Sequence, residues 1–313
     1  MLNKLRSLLH LIRIRQQYKN SLIFWGAFFS RKLLDFSLYP ILILGFIVLC
    51  CASSINYIIN DIRDIEKDRA INLDKRPLAS GELSVKFAIS VIVLLSGIIV
   101  FSLTFIIQNI NFTIMIILIL ITGQLYNHVF KRYAFIDILS ISLIYLWRAL
   151  AGCLLIDVFI SPWLFLAIFE IALFLVIAKR KGDLILLGKE DASKHRKSYE
   201  KYDIDILTQF QNMVSSSLFL TYSIYLILHF GLFQAETVNI HEYIAILTIP
   251  TFLYIILRFV YLTTSKPEIA RNTEKAFFDK GIIIAGICLV AILSYSYYWE
   301  AIYRLLQTWF NSF

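Results

Sequence analysis

Apolar runs of about twenty residues alternate with short polar segments along nearly the whole chain. That length matches the hydrocarbon core of a bilayer rather than one buried face of a soluble helix. The pattern predicts spans near 20–34, 37–59, 84–107, 111–127, 134–155, 161–179, 208–231, 241–262 and 280–300. The first is the shortest, resting on SLIFWGAFF. Residues 5–19 read differently: Arg6, Arg13, Arg15 and Lys19 interleave with apolar positions, as in a basic helix lying on a membrane surface. No soluble domain, low-complexity linker, clear internal repeat or cleavable leader breaks the series. The expectation is an all-α polytopic membrane protein of about nine transmembrane helices, forming one domain over residues 1–313.

Composition agrees, with 59% hydrophobic residues and a mean hydropathy of +0.73. The net charge of +8 reports orientation rather than nucleic-acid binding. With the N-terminus inside, the inner segments hold 25 of the 30 lysines and arginines and the outer ones only Arg31, Lys32 and Arg304. Such an asymmetry places the N-terminus and the large loops on the cytoplasmic side of the inner membrane. Outer loops are short, near Gln108–Asn111, Asp157–Ser161 and Leu232–Asn239, so room for chemistry is at the cytoplasmic end. Cys50, Cys51, Cys153 and Cys288 lie in apolar runs without metal spacing and read as packing residues. The five histidines have no partner at i+3 or i+4, so neither a zinc site nor a catalytic triad is supported.

The most informative stretch is NDIRDIEKDRAINLDKRPLASG, from Asn60 to Gly81. On a helix Asn60, Asp61, Asp64 and Asp68 fall at roughly 0°, 100°, 40° and 80°, all on one face. Arg63, Glu66 and Arg69 point elsewhere. A convergent oxygen cluster suits Mg²⁺, which completes its shell with waters and substrate phosphates. A solvated loop between spans, the ordinary reading of a charge run, has no reason to gather its aspartates on one side.

A second segment, AKRKGDLILLGKEDASKHRKSYEKYD, repeats the arc with Lys179, Arg180 and Asp183, followed by Arg196, Lys197 and Tyr199. Cations beside a metal-binding carboxylate face suit a diphosphate; the alternative is ordinary positive-inside decoration. A third, LYNHVFKRYAFID, places Tyr126 and Lys131 at a helix end, either toward a ligand or as an interfacial anchor. Charges within spans need partners. At 1.5 Å per residue Arg148 is roughly 21 Å into its span and Glu170 about 13 Å from the cytoplasmic end of the next. An ion pair between them is the first expectation and a ligand-facing arginine the second.

The ND-x-x-D-x-x-x-D helix end followed by RPLASG, on a chain of these spans, resembles the UbiA superfamily of intramembrane prenyltransferases over nearly its whole length. RIRQQYKN, NDIRDIEKDR, YNHVFKRYAFIDI, WRALAG, SPW and KR-x-x-D followed by HRKSYEKY are similar to its decaprenyl-phosphate phosphoribosyltransferase branch in order and spacing. The resemblance implies a helical bundle around a central cavity capped by polar cytoplasmic loops. It implies that Asn60, Asp61, Asp64 and Asp68 bind Mg²⁺-diphosphate, with the three aspartates central to catalysis. Lys19, Lys131, Lys179, Arg180, Arg196 and Lys197 would hold phosphates, with Tyr126 and Tyr199 lining the site.

One departure separates this chain from the common prenyl-to-aromatic transferases. They carry a second aspartate-rich motif, whereas this position offers only Asp183. The phosphoribosyl branch tends to carry a single Glu there, so Asp183 is a conservative difference. The expected activity is therefore Mg²⁺-dependent transfer of 5-phosphoribosyl from soluble phosphoribosyl diphosphate to a polyprenyl phosphate held in the bilayer. The alternative enzyme moves a prenyl group from a prenyl diphosphate to an aromatic or quinone precursor. A transporter or scaffold is disfavoured because polar residues crowd one end and no Gly/Pro-broken helix pair marks the midplane. No nucleic-acid partner is expected, and the oligomeric state is not legible.

Overall fold

A computed structural model describes residues 2–70, 76–159, 161–232 and 239–310. Lys75 of the first motif and most of the outer loop expected near 232–239 lie outside them. The described residues form helices and their connections, with no strand. The chain divides into two compact units: Met1–Phe130 with Ile144–Phe159, and Lys131–Leu143 with Ile160–Phe313.

The first unit opens with α1 (Leu2–Leu11), which is shorter than the basic helix expected over 5–19 and carries only Arg6 of its four basic residues. Arg13 then adopts a left-handed conformation (φ 50°), and the chain continues as a 3₁₀ segment, Ile14–Phe24, before the short α2 (Trp25–Phe29). The expected first span is thus a tight, partly 3₁₀ passage. Its packing explains the glycine of WRALAG: a Cβ on Gly152 would sit 2.0 Å from the Ile23 carbonyl oxygen. Small residues permit such close backbone approach where burial of apolar surface gives little advantage over lipid.

Helix α3 (Tyr39–Arg63) starts with a proline in its first turn and runs 25 residues, about 37 Å at 1.5 Å per residue. A non-helical Asp64 separates it from α4 (Ile65–Ala70). Next come α5 (Val85–Phe101), N-capped by Ser84, and α6 (Ile110–His128), N-capped by Asn109; each cap satisfies a backbone N–H left over at a helix start. The last part of α7 (Ile136–Leu155) completes this unit. Its core gathers Ile23, Leu42, Val48, Leu49, Phe112 and Ile116, while Leu11, Ile58, Leu78 and Leu83 seat the RPLASG segment.

The second unit is built on α8 (Pro162–His195), 34 residues long. A hydrocarbon core of about 30 Å takes up about twenty helical residues, so from about Lys179–Asp183 onward the helix extends past it into the polar zone. Gly188 (φ 74°) breaks the helix internally. Helices α9 (Ile204–His229), α10 (Ile240–Ile244), α11 (Thr248–Ser265), α12 (Pro267–Arg271) and α13 (Lys280–Phe310) follow. Phe174, Ile177, Tyr202, Leu207, Leu218 and Phe259 form this unit's core.

Among the described residues seven helical stretches are long and apolar enough to cross a membrane: Phe36–Arg63, Val85–Ile107, Ile110–Arg132, Ile136–Leu155, Pro162–Lys194, Ile240–Ser265 and Lys280–Arg304. Two of the nine expected spans are not among them. The 20–34 stretch is not a continuous α-helix, and α9 is long but opens with Thr208, Gln209, Gln211, Asn212 and three serines, which dilute its apolar character.

Candidate active site

In the first unit the sequence expectation of one aspartate face meets a break. Asp64 leaves the helical conformation, yet its N–H still reaches the Asn60 carbonyl at 3.0 Å and the Asp68 N–H reaches the Asp64 carbonyl at 2.8 Å. Asn60, Asp61, Asp64 and Asp68 therefore stay in near-helical register across the junction. Asp61, 4% exposed, lies in the last turn of α3, where the helix end carries partial negative charge and stabilises cations, not carboxylates. Two arginines answer that need. Arg13 Nη2 donates to Asp61 Oδ1 at 2.6 Å, and Arg76 Nη1 reaches Asp61 Oδ1 at 3.2 Å and Asp68 Oδ2 at 2.5 Å.

Arg76 thus bridges two carboxylates as a metal ion would. Among the described residues no three His, Cys, Asp or Glu side chains form a ready-made metal site. The donor set nevertheless fits a hard cation: oxygen ligands only, at a helix C-terminus, already gathered on a positive charge. Asp68 has its pKa raised, chiefly by burial, with Asp61 and Asp64 adding to the shift and Arg76 opposing it. The cations expected to point elsewhere do so. Arg63 Nη1 donates to the Asn127 carbonyl at 3.1 Å and contacts His128 Nδ1 at 2.5 Å, and Arg69 Nε donates to the Ala79 carbonyl at 3.0 Å. Glu66 is exposed.

Deeper in this unit a second polar group surrounds Lys19. Ser53 Oγ donates to Asn20 Oδ1 at 3.2 Å, Asn20 Nδ2 donates to Gln17 Oε1 at 2.8 Å, and Gln17 Nε2 reaches Ser54 Oγ at 3.1 Å. Arg148 Nη2 donates to Ser53 Oγ at 3.4 Å, and the guanidinium lies 5.3 Å from the Tyr145 ring centre. Burial alone would lower the Lys19 pKa, but Tyr145, Tyr57 and Tyr18 outweigh it and the value is raised, with Arg148 opposing. Tyr126, half-buried, sits in the last turns of α6.

In the second unit the expected cations divide by role. Lys179 and Lys197 are exposed and Arg196 is half-buried. Arg180 is 2% exposed and committed inward: its Nε donates to Asp137 Oδ2 at 3.0 Å and its Nη1 reaches the Tyr199 hydroxyl at 3.4 Å. Tyr199 donates in turn to Asp183 Oδ2 at 2.7 Å, and Arg271 Nε lies 3.4 Å from Asp183 Oδ1. Burial, with Asp183 close by, pushes the Tyr199 phenol up to about 12, so it remains a hydrogen-bond donor at neutral pH. Gly182 makes the Arg271 approach possible, since a Cβ there would lie 2.6 Å from the Arg271 nitrogen. Lys131 is half-buried in the 3₁₀ turn Phe130–Arg132.

Asp137 is the residue that sequence reasoning missed. Fully buried, it accepts from Arg180, from Ser198 Oγ at 3.2 Å and from the Tyr202 hydroxyl at 2.6 Å. Tyr202 accepts the Phe135 N–H at 2.7 Å. The available signal was a lone acid opening an apolar run in YAFIDI, since a buried carboxylate requires partners. Arg148 and Glu170 each have a hydrogen bond within their own unit, Arg148 to Ser53 and Glu170 Oε1 accepting from Ser217 Oγ at 2.5 Å.

Comparison with known proteins gives these clusters a setting. The decaprenyl-phosphate phosphoribosyltransferase of Mycolicibacterium smegmatis is 31% identical over 185 residues, covering 58% of this chain and 56% of that protein. The protein of the same name from Corynebacterium glutamicum is 30% identical over 184 residues, covering 58% and 55%. The alignments thus span little more than half the length of these curated relatives. Among solved structures, a UbiA homolog from Archaeoglobus fulgidus bound to GPP and Mg²⁺ superposes with a TM-score of 0.68 at 17% identity, covering 93% of this chain and 98% of that one. The UbiA prenyltransferase family model matches residues 21–280, and the chain belongs to that family.

Proposed function

We propose that this protein is a Mg²⁺-dependent polyprenyl-phosphate phosphoribosyltransferase whose donor is phosphoribosyl diphosphate. The observation that carries the reading is the isolation of Asp183. In its unit this carboxylate is engaged by Tyr199 and Arg271, and its segment supplies Lys179, Arg196 and Lys197 in place of a second aspartate cluster, Arg180 being held by Asp137. Such a cation-rich set suits a donor with a further phosphate remote from the scissile bond. Phosphoribosyl diphosphate has one at its 5-position and a prenyl diphosphate has none. The names carried by the similar curated proteins support the same choice.

In this reading Asn60, Asp61, Asp64 and Asp68 hold Mg²⁺ with the donor diphosphate. When bound, the ion neutralises charge building on the leaving group. Arg13 and Arg76 exchange carboxylates for diphosphate oxygens, and Lys131, Lys179, Arg196 and Lys197 supply further charge to donor phosphates. Arg180 acts as a positioning residue: held by Asp137, it orients Tyr199 and thereby Asp183. The C1–O bond to diphosphate breaks with its electron pair leaving on diphosphate, and a lipid phosphate oxygen forms the new C1–O bond. An anionic acceptor has no proton to lose, so no general base is required.

The test is purified protein in nanodiscs, assayed for diphosphate release. Release requiring both phosphoribosyl diphosphate and a polyprenyl phosphate, and stopped by a chelator, is expected. Consumption of geranyl diphosphate with 4-hydroxybenzoate, while phosphoribosyl diphosphate is ignored, would establish the prenyl-transfer alternative instead.

A further inference from the structure

Arg148 is the cation left over by the proposed site. It is 5% exposed, thirteen residues into α7, and its Nε has no hydrogen-bond partner. Its one hydrogen bond is the long contact to Ser53. A charged residue at that depth needs a counter-charge, and among the described residues no carboxylate pairs with Arg148 or with Lys19. The polar chain from Ser53 through Asn20 links the two cations, since Lys19 immediately precedes Asn20. Two neighbouring positive charges with the phenols of Tyr145, Tyr57 and Tyr18 close to Lys19, and no acid paired with either cation among the described residues, favour an anionic ligand.

We propose that Arg148 and Lys19 bind the phosphate monoester of the acceptor lipid, with the phenols of Tyr145 and Tyr57 beside it. Two features choose this anion over a metal-chelated diphosphate. Among the described residues neither cation is paired with a carboxylate that could share a metal, so the pair suits a metal-free phosphate. Arg148 and Ser53 also lie on helical stretches apolar enough to span a membrane, a setting that a lipid reaches laterally and a soluble donor does not. The separation fits as well. Ser53, which marks the level of the Arg148 guanidinium, precedes Asp61 on α3 by eight residues, about 12 Å along the axis. That interval leaves room for a metal-bound diphosphate, a sugar C1 and an attacking phosphate in line. The inference rests on the phosphoribosyl-transfer reading for the identity of the reaction, but not for the existence of the phosphate site.

The experiment measures binding of farnesyl phosphate to protein in nanodiscs by native mass spectrometry, with farnesol and Mg²⁺-phosphoribosyl diphosphate as comparison ligands. Arg148→Met is expected to weaken farnesyl phosphate at least ten-fold, to leave farnesol unchanged and to move phosphoribosyl diphosphate less than two-fold; Arg148→Lys should be intermediate. Lys19→Gln, in the 3₁₀ segment, gives an independent arm with the same expected loss should Arg148→Met fail to fold. Unchanged farnesyl phosphate binding in a folded variant overturns the proposal. So does a loss confined to phosphoribosyl diphosphate, which would assign the cations to the donor. Should phosphoribosyl diphosphate never be consumed while farnesyl phosphate binding still depends on Arg148, the transfer reading fails and the phosphate site stands.

Discussion

Replacing Asp137 by Ala removes the acceptor of three buried groups at once. Arg180 would keep its charge at 2% exposure without a counter-ion. Breaking a buried pair by deleting one partner costs about 3–5 kcal/mol. The Ser198 and Tyr202 hydroxyls would each lose an acceptor as well, at about 1 kcal/mol apiece. Because the marginal stability of folded chains is only about 5–15 kcal/mol, the variant should lose most of its heat-resistant folded fraction. The double variant Asp137→Leu with Arg180→Met tests the cause, since apolar replacement of both members of a buried pair is often near neutral. Detergent-purified variants would be heated and the monodisperse fraction read by size exclusion. The double variant should recover more than half of the loss, yet bind donor weakly because Tyr199 and Asp183 lose their support. A single variant that melts like the wild type, or a double one no better than the single, would refute the network's role.

Asp64→Asn should abolish Mg²⁺-dependent turnover in protein that still folds and inserts, while the exposed Glu66→Gln should lose less than a few-fold; equal damage would show that the carboxylate face is not functional. Because burial raises the Asp68 pKa above 3.8, that carboxyl takes up its proton at a higher pH than an ordinary aspartate, and only its ionised form binds metal. Mn²⁺ binding followed by EPR should therefore fall, as pH drops, at a higher pH than in Asp68→Asn, and coincident curves would contradict this. For topology, a single cysteine at Ser193 should label from the cytoplasmic side and one at Gln108 only from outside, in a cysteine-free background; same-side labelling would break the assigned orientation.

Much of this was legible because membrane solvation writes simple rules into a chain. The long apolar runs became helices with few exceptions, and the exceptions have local causes: the 3₁₀ segment through Phe24 and the left-handed Arg31 interrupt the 20–34 stretch, and polar side chains thin out α9. The carboxylates were visible from their spacing, but their present partners were not. Arg13 comes from 48 positions away, and no periodicity reports a contact between distant segments. Arg180 read as a phosphate ligand because spacing places it on the same arc as Lys179. Only packing shows that one projects outward and the other is turned onto Asp137, whose single letter in an apolar run carried no pattern to detect.

Arg76 gives the carboxylate cluster an internal counter-ion, and this changes what metal binding means thermodynamically. An empty pocket of bare aspartates would bind a divalent ion tightly, and release would then be slow. If the cluster takes a metal as proposed, entry of the ion would be an exchange in which one cation displaces another, so much of the gross attraction would cancel between the two states. The net affinity is set by what Arg76 gains on moving, and a diphosphate arriving with the metal supplies that gain. Metal and donor would therefore bind cooperatively, each weak alone. In the proposed reaction the same exchange would run backward after transfer: with diphosphate and metal gone, Arg76 would return to Asp61 and Asp68, so that these two buried carboxylates would not be left without a counter-charge.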